Sequence, residues 1–342
     1  MISRALHGAV GLAVATALLT GCSAASSGRE QVTFMMDVAL LPKHALFYAA
    51  VDQGFYRAAG FDVMIVPGSG SKNTALAVAS GRVSFGFADF GQTALARSQG
   101  AKVKQLGLVQ ARTAYATITT SDTGIRRWPD LKGKKVATEA GGAMAAMFPL
   151  ARERAGLKES DVQLIAASGP AKIPGLLSGQ WDATLAFYNS DQPVLVSLGY
   201  TPVMLKWSDL GISMYGNGII AGDEAIAGDP DRVRRFVTAT LRGVKWACDH
   251  QDQAGRSLLG HVRLMNQKAA QAGVASACDL VWSEETRARG LGVMTDAGVR
   301  HVLDLTGRYL KADTGGVRPA DLYTDEFLAP IGPATVIDAP HN

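Results

Sequence analysis

The sequence predicts an α/β protein in which two sheet-based lobes, joined by two crossovers, flank a cleft. Three observations carry that expectation: β-like runs alternate with helical stretches from residue 32 onward, the alternation starts again near Thr120 on a smaller scale, and 342 residues exceed the span of one hydrophobic core. With 47% hydrophobic residues and 38 glycines, the body is expected to be compact and punctuated by loops.

The first residues are read apart from the fold. Arg4 and His7 precede an apolar stretch from Ala9 to Leu19, and Leu19, Thr20, Gly21 and Cys22 then form a lipobox. At a helical rise of roughly 1.5 Å per residue the stretch covers only about half of a hydrocarbon core, so it reads as an export signal and not as a span. Residues 1–21 are expected to be the leader, Cys22 the lipidated residue and 22–31 a tether. Several acyl chains on Cys22 anchor stably where one chain is marginal. The protein is then expected outside the cytoplasm, held at a membrane surface as a monomer. Losing Arg4 with the leader lowers the formal charge from +4 to +3, a balance that argues against a nucleic-acid partner. With Cys22 acylated, Cys248 and Cys278 remain, either as one disulfide in an oxidising compartment or as two separately buried side chains.

The first series of elements has strands at Val32 to Val38, Asp62 to Val66, Phe85 to Ala88 and Val103 to Val109. Helices are expected at Leu46 to Ala59, Asn73 to Ser80 and Phe90 to Gln99, closed by Gly60, Gly81 and Gly100. In the second series a strand at Lys135 to Thr138 leads to a helical region ending at Arg154, followed by strands at Val162 to Ala166 and Ala183 to Phe187. Pro149 falls inside that helical region, which predicts a kink or a late start. Later, a strand at Gly218 to Ala221 precedes a helix with Asp229 as cap, Pro230 in its first turn, and Val233, Phe236, Val237, Leu241, Val244 and Cys248 on one face. The expected division is residues 32–118 plus 218–342 for the first lobe and 119–217 for the second, with crossovers near Tyr115 to Thr120 and Tyr215 to Ile220.

Catalytic motifs do not emerge. Gly68-Ser69-Gly70-Ser71 lacks the order of a nucleophile elbow, and the six histidines show no H-E-x-x-H spacing. Gly216, Asn217, Gly218 and Ala221 match a dinucleotide fingerprint on paper, but Ile219 and Ile220 continue a strand where that fingerprint must open a helix. No catalytic residue, metal site or cofactor is expected.

Ligands of open α/β sheets sit beyond the carboxyl ends of strands, where helix N-termini expose N–H groups. That rule selects Asp37 to His44, including Leu41; Gly68 to Asn73; Asp89 and Phe90; Glu139 to Ala143, including Gly141 and Gly142; and Tyr188 to Asp191. Ser69, Gly70 and Ser71 suit either an anion cradle or a simple helix cap. Gly141 and Gly142 allow close backbone approach from the opposite lobe. Asp37 can bind a ligand N–H or accept from the turn Leu40 to Lys43. Tyr215 and Asn217 adjoin the return crossover, as ligand contacts or as a turn.

Several stretches carry a family resemblance. They are Phe34-Met-Met-Asp-Val-Ala-Leu-Leu-Pro-Lys-His-Ala-Leu-Phe-Tyr, Gly81-Arg-Val-Ser-Phe-Gly-Phe-Ala-Asp-Phe-Gly, Asp130-Leu-Lys-Gly-Lys-Lys-Val, Gly179-Gln-Trp-Asp-Ala, Tyr215-Gly-Asn-Gly and Pro230-Asp-Arg-Val-Arg-Arg-Phe. In order and spacing they resemble the family that groups sulfonate, nitrate and thiamine-pyrimidine binding proteins with fungal pyrimidine synthases. The resemblance implies a type II periplasmic-binding-protein fold, a small-molecule ligand in the cleft and an ABC permease as membrane partner. It also implies site roles for His44, Tyr188, Asn189 and Asp191. The chain departs from the pyrimidine branch at Val38, where that branch carries a tryptophan, so an aromatic face would have to come from Phe47, Phe90, Phe187, Tyr188 or Tyr215. The alternatives are an enzyme like the fungal synthases, which use pyridoxal phosphate and iron, and a solute sensor for a membrane kinase. Against the enzyme stands Tyr215-Gly-Asn-Gly, which replaces the cysteine-rich segment of the synthase branch.

Overall fold

The computed structural model describes residues 28–139, 143–310 and 312–340. The leader, Cys22, most of the tether, Gly141 and Gly142 lie outside the described residues. The strands are β1 (Glu30–Met35), β2 (Phe61–Val66), β3 (Phe85–Asp89), β4 (Val103–Leu108), β5 (Tyr115–Thr120), β6 (Lys134–Thr138), β7 (Val162–Ala166), β8 (Ala183–Phe187), β9 (Pro202–Lys206) and β10 (Asn217–Gly222). They make two five-stranded sheets, ordered β2-β1-β3-β10-β4 and β7-β6-β8-β5-β9.

The two sheets follow one plan. In the first, β1 pairs parallel with β2 and β3; in the second, β6 pairs parallel with β7 and β8. Each fourth place is taken by an antiparallel strand that arrives from the other half of the chain: β10 lies between β3 and β4, and β5 between β8 and β9. The run Tyr115 to Thr120, expected as a crossover, is thus itself a strand of the second sheet. Its alternation is hidden because all six of its residues are buried, as happens where both faces of a sheet are covered.

The helices are α1 (Ala45–Asp52), α2 (Phe55–Ala58), α3 (Ser71–Ala79), α4 (Phe90–Ser98), α5 (Ala143–Arg154), α6 (Gly169–Leu177), α7 (Tyr188–Ser197), α8 (Asp223–Gly228), α9 (Pro230–Asp249), α10 (Gln251–His261), α11 (Gln267–Val281), α12 (Glu284–Arg289), α13 (Asp296–Leu310) and α14 (Pro319–Leu322). The single helix expected over Leu46 to Ala59 is two helices, because Gly54 takes φ +77° and turns the chain between them. Pro149 sits inside α5, where its missing N–H deprives the Ala145 carbonyl of a helical partner. Asp229 caps α9 as expected, accepting from the Arg232 N–H at 2.9 Å.

Residues of β3 show how the first sheet is covered on both faces. Phe85 and Phe87 join Phe34, Phe47 and Phe236 in the core beneath α1 and α9, while Ala88 packs on the other face with Ala75 and Val78 of α3. Each fully buried phenylalanine contributes roughly 1.5–3 kcal/mol. A second core joins Tyr115, Phe148 and Trp207 to Phe90 and Ala94 of α4 and to Val299, Val302 and Leu305 of α13. The late helices therefore do more than cover the first sheet: α13 packs on both α4 and α5, and α11 packs on α7.

The two chain crossings run side by side. The Thr113 N–H donates to the Met214 carbonyl at 2.8 Å, the Gly216 N–H to the Gln110 carbonyl at 3.1 Å, and the Gln110 N–H to the Asn217 carbonyl at 2.8 Å. Paired extended segments of this kind bend together and form a natural hinge.

Of the two states open to Cys248 and Cys278, the structure shows the disulfide, which joins α9 to α11 with 5.5 Å between the Cα atoms. The cysteines are 30 residues apart. Cross-linking a loop of that length predicts roughly 3–4 kcal/mol of stabilisation. The substitution Cys278→Ser is expected to lower the unfolding free energy in urea by about that amount, and reductant should reproduce the loss in the unmodified protein.

Candidate functional site

Between the two sheets lies a cleft of about 1210 Å³. Its walls are the carboxyl ends of parallel strands from both halves: the first sheet supplies Asp37, Ser69 to Asn73 and Asp89, and the second supplies Glu139, Phe187 and Asp191. Small-molecule sites usually enclose roughly 300–1,000 Å³, so this crevice is large enough for such a solute.

At the floor stands Asp37, on the turn after β1 and 5% exposed. Its Oδ2 accepts from Lys43 Nζ at 2.5 Å and from Asn217 Nδ2 at 2.9 Å, while Oδ1 lies 2.9 Å from His44 Nε2. Burial by itself would raise the Asp37 carboxyl, but Lys43 and His44 outweigh it and hold the group well below the usual carboxylate range. His44 Nδ1 accepts the Leu41 N–H at 3.0 Å, which assigns its proton to Nε2 and leaves the ring neutral. Burial also pushes the imidazole below its ordinary value, against the pull of Asp37. The local chain enforces this arrangement, since Pro42 opens a one-turn helix, Pro42–His44, that returns His44 beneath Leu41.

Asp89 ends β3 and caps α4. Its Oδ1 accepts the Gln92 N–H at 2.9 Å, and its own N–H donates to Ser71 Oγ at 3.0 Å. Its Oδ2 is buried without a hydrogen-bond partner among the described residues. On the opposite wall Lys172 of α6 donates to the Leu185 carbonyl at 3.1 Å and lies 3.6 Å from Glu139 Oε1. Lys43 Nζ sits 6.0 Å from the ring centroids of both Phe87 and Phe187, one from each sheet.

Among the residues expected at the site, Asp37, Leu41, Ser69, Gly70, Ser71, Glu139, Asp191 and Asn217 line this cleft. The others do not. His44 is fully buried behind Asp37 and reaches the cleft only through it. Phe90 is buried in the core, 5.5 Å from Tyr215. Tyr215 faces a separate depression, with its hydroxyl donating to Glu285 at 2.9 Å. Tyr188 packs against α11, donating to Asp279 Oδ2 at 2.9 Å with Lys206 Nζ over its ring at 4.6 Å. Asn189 is buried away from the cleft, both atoms of its amide unpaired among the described residues. Tyr188 and Asn189 were expected at the surface beyond a strand end; α11, some ninety residues further along the chain, covers that end. Lys43 and Asp89, which fall in the stretches selected by the strand-end rule, also line the cleft, whereas sequence reading missed Gln92, Tyr115 and Lys172. Lys172 carries no local signal in its Gly- and Pro-rich helix.

Among the described residues no three of His, Cys, Asp and Glu are arranged to hold a metal ion. No helix there is long and apolar enough to cross a membrane.

Two sheets of this topology, paired crossings and an intervening cleft define the two-lobed fold of periplasmic binding proteins. The aliphatic sulphonate binding protein SsuA from Escherichia coli superimposes with a TM-score of 0.63 at 15% identity, covering 92% of this chain and 98% of SsuA. The chain belongs to the NMT1/THI5 like family, whose profile matches residues 41–254. Its relatives include 4-amino-5-hydroxymethyl-2-methylpyrimidine phosphate synthase from Schizosaccharomyces pombe, 25% identical over 61% of this chain and 63% of the synthase. The riboflavin-binding protein RibY from Chloroflexus aurantiacus is 25% identical over 66% of this chain and 64% of RibY. Both matches span less than two thirds of the relative's own length.

The Asp37 network predicts a stability effect of definite size. Asp37→Asn leaves the Lys43 ammonium buried without its carboxylate, so the variant should lose roughly 3–5 kcal/mol in chemical denaturation. A loss below about 1 kcal/mol, the range of an exposed pair, would show that the network does not hold the floor of the cleft.

Proposed function

We propose that this protein is the extracytoplasmic, lipid-anchored substrate-binding component of an ABC importer. In this reading it captures a small organic solute between its lobes and presents it to a membrane permease. The observation that carries the proposal is the cleft itself. Strand ends of both sheets converge on one crevice, and the only backbone crossings described between the sheets are two segments hydrogen-bonded to each other. A guest touching both walls favours the closed lobes by its differential affinity for that state. The riboflavin-binding relative and the sulphonate-binding structural neighbour support capture as the role. The range of candidate solutes covers pyrimidine-like heterocycles, sulfonates and aromatic or other organic acids.

The S. pombe relative carries a synthase name, which makes turnover the alternative. Of the three lysines lining the cleft, Lys43 and Lys172 are committed to Asp37 and to the Leu185 carbonyl with Glu139, which leaves Lys72 as the lysine that a test with pyridoxal phosphate addresses.

Native mass spectrometry of protein purified without denaturation is expected to show a retained small molecule, and a matching solute should raise the melting temperature. No shift across a broad panel of heterocycles, sulfonates, aromatic acids and nitrate would remove the capture role. A Schiff-base absorption band on adding pyridoxal phosphate would replace it with the enzyme. For the anchor, Cys22→Ser is expected to move the protein from the membrane fraction to the soluble one; continued membrane association would refute the lipid link.

A further inference from the structure

The cleft holds more carboxyl groups than it neutralises. Asp37 is paired with Lys43 and Glu139 with Lys172. Asp89 on one wall and Asp191 on the other have no ion-pair partner among the described residues, although both line the cleft. Asp89 is the more confined of the two. It is 4% exposed, and α4 uses one of its oxygens as a cap while the other meets no donor among the described residues. A buried carboxylate oxygen without a donor is costly in the empty protein, and a guest that supplies a donor removes that cost.

We infer that Asp89 is the specificity-determining residue of this cleft: its Oδ2 selects solutes that offer an N–H donor, above all a cationic amidine or amine, and disfavours sulfonates and other oxyanions. The inference rests on the capture role proposed above and narrows it. An oxyanion in the same place would set like charges side by side with no proton between them. Asp191, in the first turn of α7, adds a second carboxyl across the cleft. The sulphonate-binding neighbour shares the fold at 15% identity, which leaves the lining free to differ.

Selection of this kind must depend on pH. Burial raises the Asp89 carboxyl to about 6, with Asp37 adding to the rise and the Gln92 and Gly91 N–H groups and Lys43 opposing it. The other charged or titratable groups nearby are His44 behind Asp37, Tyr115 from the second sheet, and Lys72, Asp191 and Tyr309 along the cleft. A donor binds the ionised carboxylate, so binding expels the proton and affinity climbs as pH rises through 6, then levels off. Between pH 7.5 and pH 5 the affinity for a permanently cationic guest should fall about tenfold.

The test is calorimetric titration of the full chain with benzamidine and benzenesulfonate, probes matched in ring and opposite in charge, at pH 5 and pH 7.5. Benzamidine should bind at least tenfold more tightly than benzenesulfonate at pH 7.5, and at pH 5, where Asp89 is mostly protonated, its binding should release close to one proton. Asp89→Asn keeps the Oδ1 that caps α4, so the fold is retained; its benzamidine affinity should drop at least tenfold and its pH dependence should vanish. Tighter binding of benzenesulfonate, no benzamidine binding at millimolar concentration, or an unchanged affinity and pH slope in Asp89→Asn would each overturn the inference. Tighter binding of benzenesulfonate than of benzamidine would overturn it while leaving solute capture intact, whereas failure of every solute in the broad panel would remove capture itself.

Discussion

One carboxylate organises the floor of the cleft. Asp37 follows the first strand, its donors Lys43 and His44 lie on the next turn, and its third donor, Asn217, opens the strand that returns from the second sheet. Three segments are thereby held to one point with the anionic charge fully answered. In a low-dielectric interior that satisfaction decides whether a buried ion is tolerable. The neutrality of His44 belongs to the same arrangement, because a second proton on its ring would have to displace the Leu41 N–H from Nδ1.

Most of the architecture was legible because it rests on local rules. Alternating apolar runs marked β1 to β4, β6 to β8 and β10, and the Asp229-Pro230 start marked α9. The strand-end rule brought Asp37, Ser69 to Ser71, Glu139 and Asp191 to one crevice, since parallel strands of a sheet all end on the same side. What escaped depended on distant partners. The strand character of β5 was masked by burial on both faces, the placement of Tyr188 is decided by Asp279, and Lys172 is held at the cleft by the Leu185 carbonyl of β8. Family resemblance identified the fold, yet it placed Tyr188 and Asn189 at a site that α11 closes off in this chain.

That helix has two attachments of different kinds. On one side a disulfide joins α11 to α9, above the first sheet; on the other, Asp279 accepts from Tyr188, and Arg112 and Lys206 lie 3.2 Å and 3.4 Å from its carboxylate. Burial would raise Asp279, and these neighbours instead keep it below its ordinary value. The covalent attachment is indifferent to salt, while the polar one is partly exposed and is screened by it. Relative motion of the halves is therefore resisted by a rigid link at one end of α11 and a weaker, tunable one beside it.

The exchange of strands between the sheets has a consequence for how the molecule is made. Because β10 sits between β3 and β4, the first sheet lacks an interior strand until more than a hundred further residues have been synthesised, whereas every strand of the second sheet is contiguous in the chain. The earlier-translated half must wait for the later one, and such long-range pairing is slow.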